Sequence, residues 1–171
     1  MVGGPHCQSL TRREVELLLS EHWIFGGNMT KDQSKEELIR GLNEDLAAEW
    51  GTILRYTYQS SKAIGLRGAE LRDIFQKEIP DELGHAKFLT DVVADLGGDP
   101  TTKPKEFDKL DDLKGMVELD LKMELSDVDN YTRHSKLAEQ LGLTELKVKL
   151  EEMAADESRH ARDLHRILKG M

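Results

Sequence analysis

Apolar residues recur along this chain at three- and four-residue steps in four long runs, the period of one face of an α-helix. Leu38, Leu42, Leu46, Ile53 and Tyr56 mark the first run. Ser34-Lys-Glu-Glu37 reads as the capping box that opens it, its end side chains satisfying free backbone N–H groups, and Gly65 as its terminator. The second run, from about Arg67 to Leu96, carries Leu71, Phe75, Ile79, Leu89, Val92, Val93 and Leu96, with Gly97-Gly98 and Pro100 beyond its end. Pro80 falls inside it, and the missing N–H predicts a kink or bulge there. The third run starts near Asp111 or Asp112 and carries Leu113, Val117, Leu121, Val128 and Tyr131 to about Gln140. After a tight turn at Leu141-Gly-Leu143, the fourth runs from Thr144 through Leu146, Leu150, Met153, Leu164 and Ile167 to the C-terminus.

The links set the topology. The first and last are a few residues long, so each pair of helices forms an antiparallel hairpin. Gly98 to Leu110 holds two prolines and reads as extended. Thirteen residues at roughly 3.4 Å each reach about 45 Å, the length of a 30-residue helix. The segment can cross the whole bundle and leave the second and third helices parallel. The expected fold is therefore all-α, a four-helix bundle with one long crossover over residues 34–171. Residues 1–33 form an extension. In it Thr11-Arg-Arg-Glu14 resembles another capping box, Val15, Leu18 and Leu19 make a short apolar stripe, and Phe25-Gly-Gly-Asn28 ends it. So short a helix has to pack on the bundle or on a neighbouring subunit.

Composition narrows the setting. At 171 residues the bundle is one domain with room for a core. Thirty-three acidic residues against 24 basic ones give a net charge of −9, which disfavours nucleic acid and anionic membrane and suits cationic ligands. A single cysteine, Cys7, allows no internal disulfide, and no apolar run reaches the length of a membrane span. The first residues carry no secretory pattern. A soluble cytoplasmic protein is expected.

Two Glu-x-x-His pairs occur, Glu82-Leu-Gly-His85 and Glu157-Ser-Arg-His160. Positions i and i+3 share a helix face, so each pair aims a carboxylate and an imidazole at one point. Both pairs interrupt an apolar stripe, and so do Glu49, between Leu46 and Ile53, and Glu124, between Leu121 and Val128. Ionised carboxylates in a dry core are strongly destabilising without a partner. Four glutamates and two histidines converging on one layer call for a cation.

The spacing repeats. Glu49 to Glu82 and Glu124 to Glu157 are each 33 residues, while Glu49 to Glu124, Glu82 to Glu157 and His85 to His160 are each 75. Tyr56 and Tyr131, and Asp81 and Asp156, stand 75 apart as well. The chain reads as two related hairpins placing two half-sites about a pseudo-two-fold axis. Four carboxylates and two imidazoles suit two iron or manganese ions better than a tetrahedral zinc site. A glutamate from each of two helices plus a Glu-x-x-His from each of the others is the donor set of di-iron carboxylate bundles. Asp81 and Asp156 read either as acceptors of the outer N–H of the opposite histidine or as solvated residues beside the site. Tyr56 and Tyr131 read as core aromatics, or as phenols that donate a hydrogen bond or an electron near the metals. Glu78 and Asp127 read as solvated residues or extra ligands, His6, His22, His134 and His165 as surface residues, and Trp50 as facing a neighbouring helix or subunit.

Leu42-Asn-Glu-Asp-Leu-Ala-Ala-Glu49, Asp81-Glu-Leu-Gly-His-Ala86, Asp120-Leu-Lys-Met-Glu124 and Asp156-Glu-Ser-Arg-His160 resemble the four ligand-bearing segments of the ferritin-like superfamily, and most closely those of bacterioferritins. The resemblance spans about residues 34–170. It implies Glu82 and Glu157 as bridging carboxylates and Glu49, His85, Glu124 and His160 as terminal ligands, six residues that are metal-binding and catalytic at once. It also implies a ferroxidase centre that oxidises Fe(II) with dioxygen or peroxide for iron storage or detoxification, in a homo-oligomer. Bacterioferritins bind an intersubunit haem through a methionine that follows the glutamate of the second helix. Here that position is Leu83, so no such haem is expected.

Two other classes compete on the same residues. One is a redox enzyme resembling rubrerythrin peroxidases or manganese catalases, the first disfavoured by the lack of a Cys-x-x-Cys module. The other is a non-enzymatic, metal-bound assembly protein acting through residues 1–33.

Overall fold

A computed structural model describes residues 30–171 of the chain. Helix α1 spans Lys31–Lys62, α2 Gly65–Asp95, α3 Leu113–Leu141 and α4 Thr144–Gly170, with no strand among the described residues. The expected short helix at 11–19, its terminator at 25–28, and Cys7, His6 and His22 lie outside the described residues. No helix among the described residues is long and apolar enough to cross a membrane.

The start of α1 corrects the expected one. Ser34 is not a cap; it lies buried within a helix that begins at Lys31. The polar residues Lys31, Asp32 and Gln33 oppose no helix, and Asp32 in the first turn favours the positive end of the helix dipole. Gly65 does not end α1 but opens α2. The two residues Ala63 and Ile64 make the link, and Gly65, with φ +80°, turns the chain back. Helix α2 runs unbroken through Pro80. Its end is as expected, with Gly97 at φ +84° and the Gly98 N–H donating to Val93 O at 2.9 Å.

Helix α3 is capped by Asp112, whose Oδ1 accepts from the Gly115 N–H at 2.7 Å. Gly142 at φ +76° and the Leu143 N–H, which donates to Ala138 O at 2.9 Å, close it and hand the chain to α4. The α1–α2 and α3–α4 hairpins each pack antiparallel, and α1 lies against α3.

Leu96–Asp112 crosses the bundle lengthwise along α1. Asn43 holds Asp99 O and the Thr101 N–H, the Lys105 N–H donates to Ala47 O at 2.7 Å, Phe107 meets Tyr58, and Asp111 pairs with Lys62. Trp50 packs against the buried apolar core, and its indole N–H donates to Thr101 O of the crossover at 3.3 Å. Gly51 lets the crossover approach: a Cβ there would stand 2.6 Å from Lys105 O. The crossover thus starts α3 at the end of the bundle where α2 starts, which makes the two parallel.

Buried apolar residues form two clusters, one around Leu38, Leu42, Leu46, Leu89, Leu150 and Met153, the other around Tyr56, Leu71, Phe75, Met116 and Leu164. Each fully buried leucine contributes roughly 1.5–3 kcal/mol. Between the clusters the stripes of all four helices turn polar at Glu49, Glu82, His85, Glu124, Glu157 and His160, every one of them buried. The apolar layers hold this polar layer in place.

Candidate metal centre

The six side chains come together in two overlapping groups. Glu49, Glu82, His85 and Glu157 form one, and Glu82, Glu124, Glu157 and His160 the other; within each, a donor atom from every residue lies within 4.8 Å of the rest. Glu82 and Glu157 belong to both, which is the geometry a pair of bridging carboxylates requires. Each helix supplies its donors from one face, so helix packing alone sets the spacing.

His85 Nδ1 stands 2.9 Å from Glu157 Oε1, 3.6 Å from Glu49 Oε1 and 3.7 Å from Glu82 Oε2, yet makes no well-aligned hydrogen bond to any of them. His160 Nδ1 lies 3.0 Å from Glu157 Oε2, 3.5 Å from Glu82 Oε1 and 3.7 Å from Glu124 Oε2. Glu49 Oε2, Glu82 Oε1 and Glu157 Oε1 are buried without a hydrogen-bond partner. Orphaned carboxylate oxygens and an imidazole nitrogen facing one another in a core are costly, and cations are what such a set fits.

The electrostatics show the same tension. Burial, reinforced by the Glu82 charge, pushes the Glu49 carboxyl well above its ordinary range. Burial also pushes Glu124 up to about 7. It works on Glu157 in the same sense, but the neighbouring His160 and His85 outweigh it and hold that carboxyl low. For His85, burial disfavours the cation, but the surrounding Glu157, Glu49 and Glu82 carboxylates prevail and push it up to about 12. His160 is raised likewise, burial being overcome by Glu124, Glu157 and Glu78. In the metal-free chain both rings carry the charge that a metal would otherwise supply.

Around this layer the two tyrosines repeat each other. The Tyr56 hydroxyl donates to Glu124 Oε1 at 2.5 Å, and the Tyr131 hydroxyl donates to Glu49 Oε1. They are core aromatics that also hold the two glutamates. The outer nitrogens of the histidines are held unequally. His85 Nε2 lies 3.7 Å from Asp156, too far for the expected hydrogen bond, and His160 Nε2 is taken by Glu78 at 2.8 Å, with Asp81 only at 4.0 Å. Glu78 is therefore no solvated residue, and its own carboxyl is lowered chiefly by the His160 bond. Asp81 and Asp156 instead share Arg159, at 3.5 and 3.2 Å.

Other expectations need correction. His134 is buried rather than on the surface, its Nδ1 2.5 Å from Asp45 Oδ2. Asp127 is buried too, and burial, with Glu124 and Glu157 nearby, pushes its carboxyl up to about 8. His165 is exposed. A network that sequence reading did not single out surrounds Glu124. Arg55, 1% exposed, directs Nε to Asp120 Oδ1 at 2.7 Å and brings Nη2 to 3.5 Å from Glu124 Oε1, and Gln59 Nε2 donates to the same Asp120 oxygen at 3.0 Å. The signal was present in part: Asp45 and Asp120 obey the 75-residue repeat.

A sequence model of a ferritin-like domain matches residues 39–171. Among solved structures, a ferritin-like di-iron-carboxylate protein of Bacillus anthracis is 38% identical, over 82% of this chain and 99% of that one, with a TM-score of 0.78. A bacterioferritin of Mycobacterium tuberculosis is 26% identical, over 79% of this chain and 86% of that one, with a TM-score of 0.69. A bacterioferritin of Desulfovibrio desulfuricans, described with a di-iron site, shares the fold at 22% identity and a TM-score of 0.69, over 83% of this chain and 84% of that one. No curated protein matches the sequence.

Proposed function

The chain belongs to the ferritin-like domain family, and on that premise we propose that it is a di-iron protein acting as a ferroxidase, oxidising Fe(II) with dioxygen or peroxide in iron storage or detoxification. The observation that carries this reading is the shared position of Glu82 and Glu157 in both donor groups. That arrangement suits two ions side by side, with Glu49 and His85 completing one position and Glu124 and His160 the other. Six such donors fit iron, and manganese nearly as well. When bound, the metal pair would supply two-electron redox chemistry.

The chain's own part is to bind, orient and exclude water. Tyr131 and Tyr56 hold Glu49 and Glu124 toward the shared space, leaving Glu49 Oε2 free. Glu78 fixes the His160 ring from behind. The two apolar clusters keep the layer dry above and below. His85 and His160 hold protons in the metal-free state and give them up when a cation takes their nitrogens. Leu83, 51% exposed on α2, offers no donor to haem iron, so the reading includes no haem. The reading includes a homo-oligomer, as the resemblance to bacterioferritins implies.

Stopped-flow oxidation of added Fe(II), followed by a count of retained iron, tests this. The full chain is expected to oxidise Fe(II) faster than buffer and keep the product. Glu49→Ala/Glu124→Ala is expected to lose that rate, and an unchanged rate overturns the reading. Peroxide consumption with a reductant but no retained iron would favour a peroxidase or catalase role instead.

A further inference from the structure

The two half-sites repeat each other closely, and the repeat fails at two positions beside the carboxylates. Glu49 answers Glu124, Tyr131 answers Tyr56 and Asp45 answers Asp120, each pair 75 residues apart. Around the Glu49 half, Asp45 pairs with His134, the counterpart of Gln59. Around the Glu124 half, Asp120 pairs with Gln59 and with Arg55, and the counterpart of Arg55 is Asn130. Asn130 is half-buried and accepts from Arg133 at 3.2 Å. Among the described residues, then, a guanidinium stands beside Glu124, and no arginine or lysine stands beside Glu49.

We propose that Arg55 is a positioning residue that makes the two metal positions unequal, weakening divalent-cation binding at the Glu124/His160 half so that the Glu49/His85 half fills first. The inference rests on the di-metal reading above. Two observations carry it. Arg55 is buried, and a guanidinium does not lose its proton in a protein, so the charge is permanent. Its attraction to Glu124 is strengthened by the low local dielectric, and so is its repulsion of a cation nearby.

Two donors, Arg55 Nη2 and the Tyr56 hydroxyl, point at the single oxygen Glu124 Oε1, so only Oε2 is left facing His160 Nδ1, at 3.7 Å. Glu49 has one such neutral donor, Tyr131. Asp120 balances the charge of Arg55 but leaves the guanidinium beside Glu124 Oε1.

Anaerobic titration of the full chain with Co(II), read by visible absorption and calorimetry, tests it. The wild-type chain is expected to take up two ions in two steps, the second about tenfold weaker or more. Glu49→Gln should remove the tight step and Glu124→Gln the weak one. Arg55→Gln/Asp120→Asn removes the ion pair as a unit and strands no buried charge. It should still bind two ions, with the gap closed by about tenfold. Arg55→Lys keeps the charge and should keep most of the gap. Asp120→Asn alone strips the balancing charge and should widen it, which keeps the test decisive if the double variant does not fold. Two ions bound with equal affinity by the wild type, or an unchanged gap in the double variant, overturns the role of Arg55 while the di-metal reading stands. Fewer than two ions in the wild type overturns both.

Discussion

The Tyr131 hydroxyl donates to the Glu49 carboxylate from 82 residues away, across the contact between α3 and α1, and both groups are buried. Its twin, Tyr56 on Glu124, crosses the same contact in the other direction. Each glutamate is thus held by a neutral donor before any metal arrives. Removing one donor leaves a buried carboxylate short of a partner, a loss of about 1–3 kcal/mol. Tyr131→Phe is expected to lower the stability of the metal-free chain by that order in urea unfolding. Added metal should restore part of it, and a variant as stable as wild type without metal would remove this role.

Asp127 makes stability depend on pH. Its carboxyl titrates at about 8 in the folded chain because it is buried, with Glu124 and Glu157 beside it. In the unfolded chain an aspartate titrates near about 3.9. Between those values the folded state holds a proton that the unfolded state has released, so stability falls as pH rises through that window. Asn cannot ionise. Asp127→Asn is therefore expected to melt a few degrees higher than wild type at pH 8, with the gain shrinking toward pH 4. A gain of the same size at both ends would show that ionisation is not the cause.

Metal uptake should release protons. His85 and His160 both have raised pKa values, burial being outweighed by surrounding carboxylates, so both rings are protonated at neutral pH without metal. A cation binding at a ring nitrogen displaces that proton, so affinity should rise with pH between 6 and 8. Calorimetry in two buffers of different ionisation enthalpy is expected to report at least one proton released per ion, since Glu49 and Glu124 add to the two histidines. Uptake with no net proton release contradicts the assignment of these two histidines.

Gly51 tests the crossover. A methyl group there would press on the Lys105 backbone oxygen at 2.6 Å, and backbone yields less easily than a flexible side chain. Gly51→Ala is expected to cost about 1–3 kcal/mol despite the better helix propensity of alanine. Chemical denaturation measures it, and a neutral or stabilising effect would mean that the crossover is not held against α1.

The helices were legible because their apolar faces persist for about five to seven turns, and the six polar residues stood out because they interrupt those faces. The 75-residue repeat supported Glu49 and Glu124 without any knowledge of packing. The misses have a common physical origin. Arg55 and His134 are buried because partners on a facing helix, Asp120 and Asp45, neutralise them, and a pattern along one helix does not contain the partner. Glu78 is polar and only half-buried, and only the approach of α4 makes it the partner of His160. Ser34-Lys-Glu-Glu37 has the composition of a cap, but such a motif opens a helix only where the residues before it are not helical, and Lys31–Gln33 are.

The central claim is that Glu49, Glu82, His85, Glu124, Glu157 and His160 hold two metal ions. The most direct test is elemental analysis of the full chain after anaerobic loading with Fe(II) and desalting. Two irons per chain are expected, with near-total loss in Glu82→Ala/Glu157→Ala of unchanged helical content by circular dichroism. Fewer than two irons in the wild type, or two retained by the variant, would contradict the account.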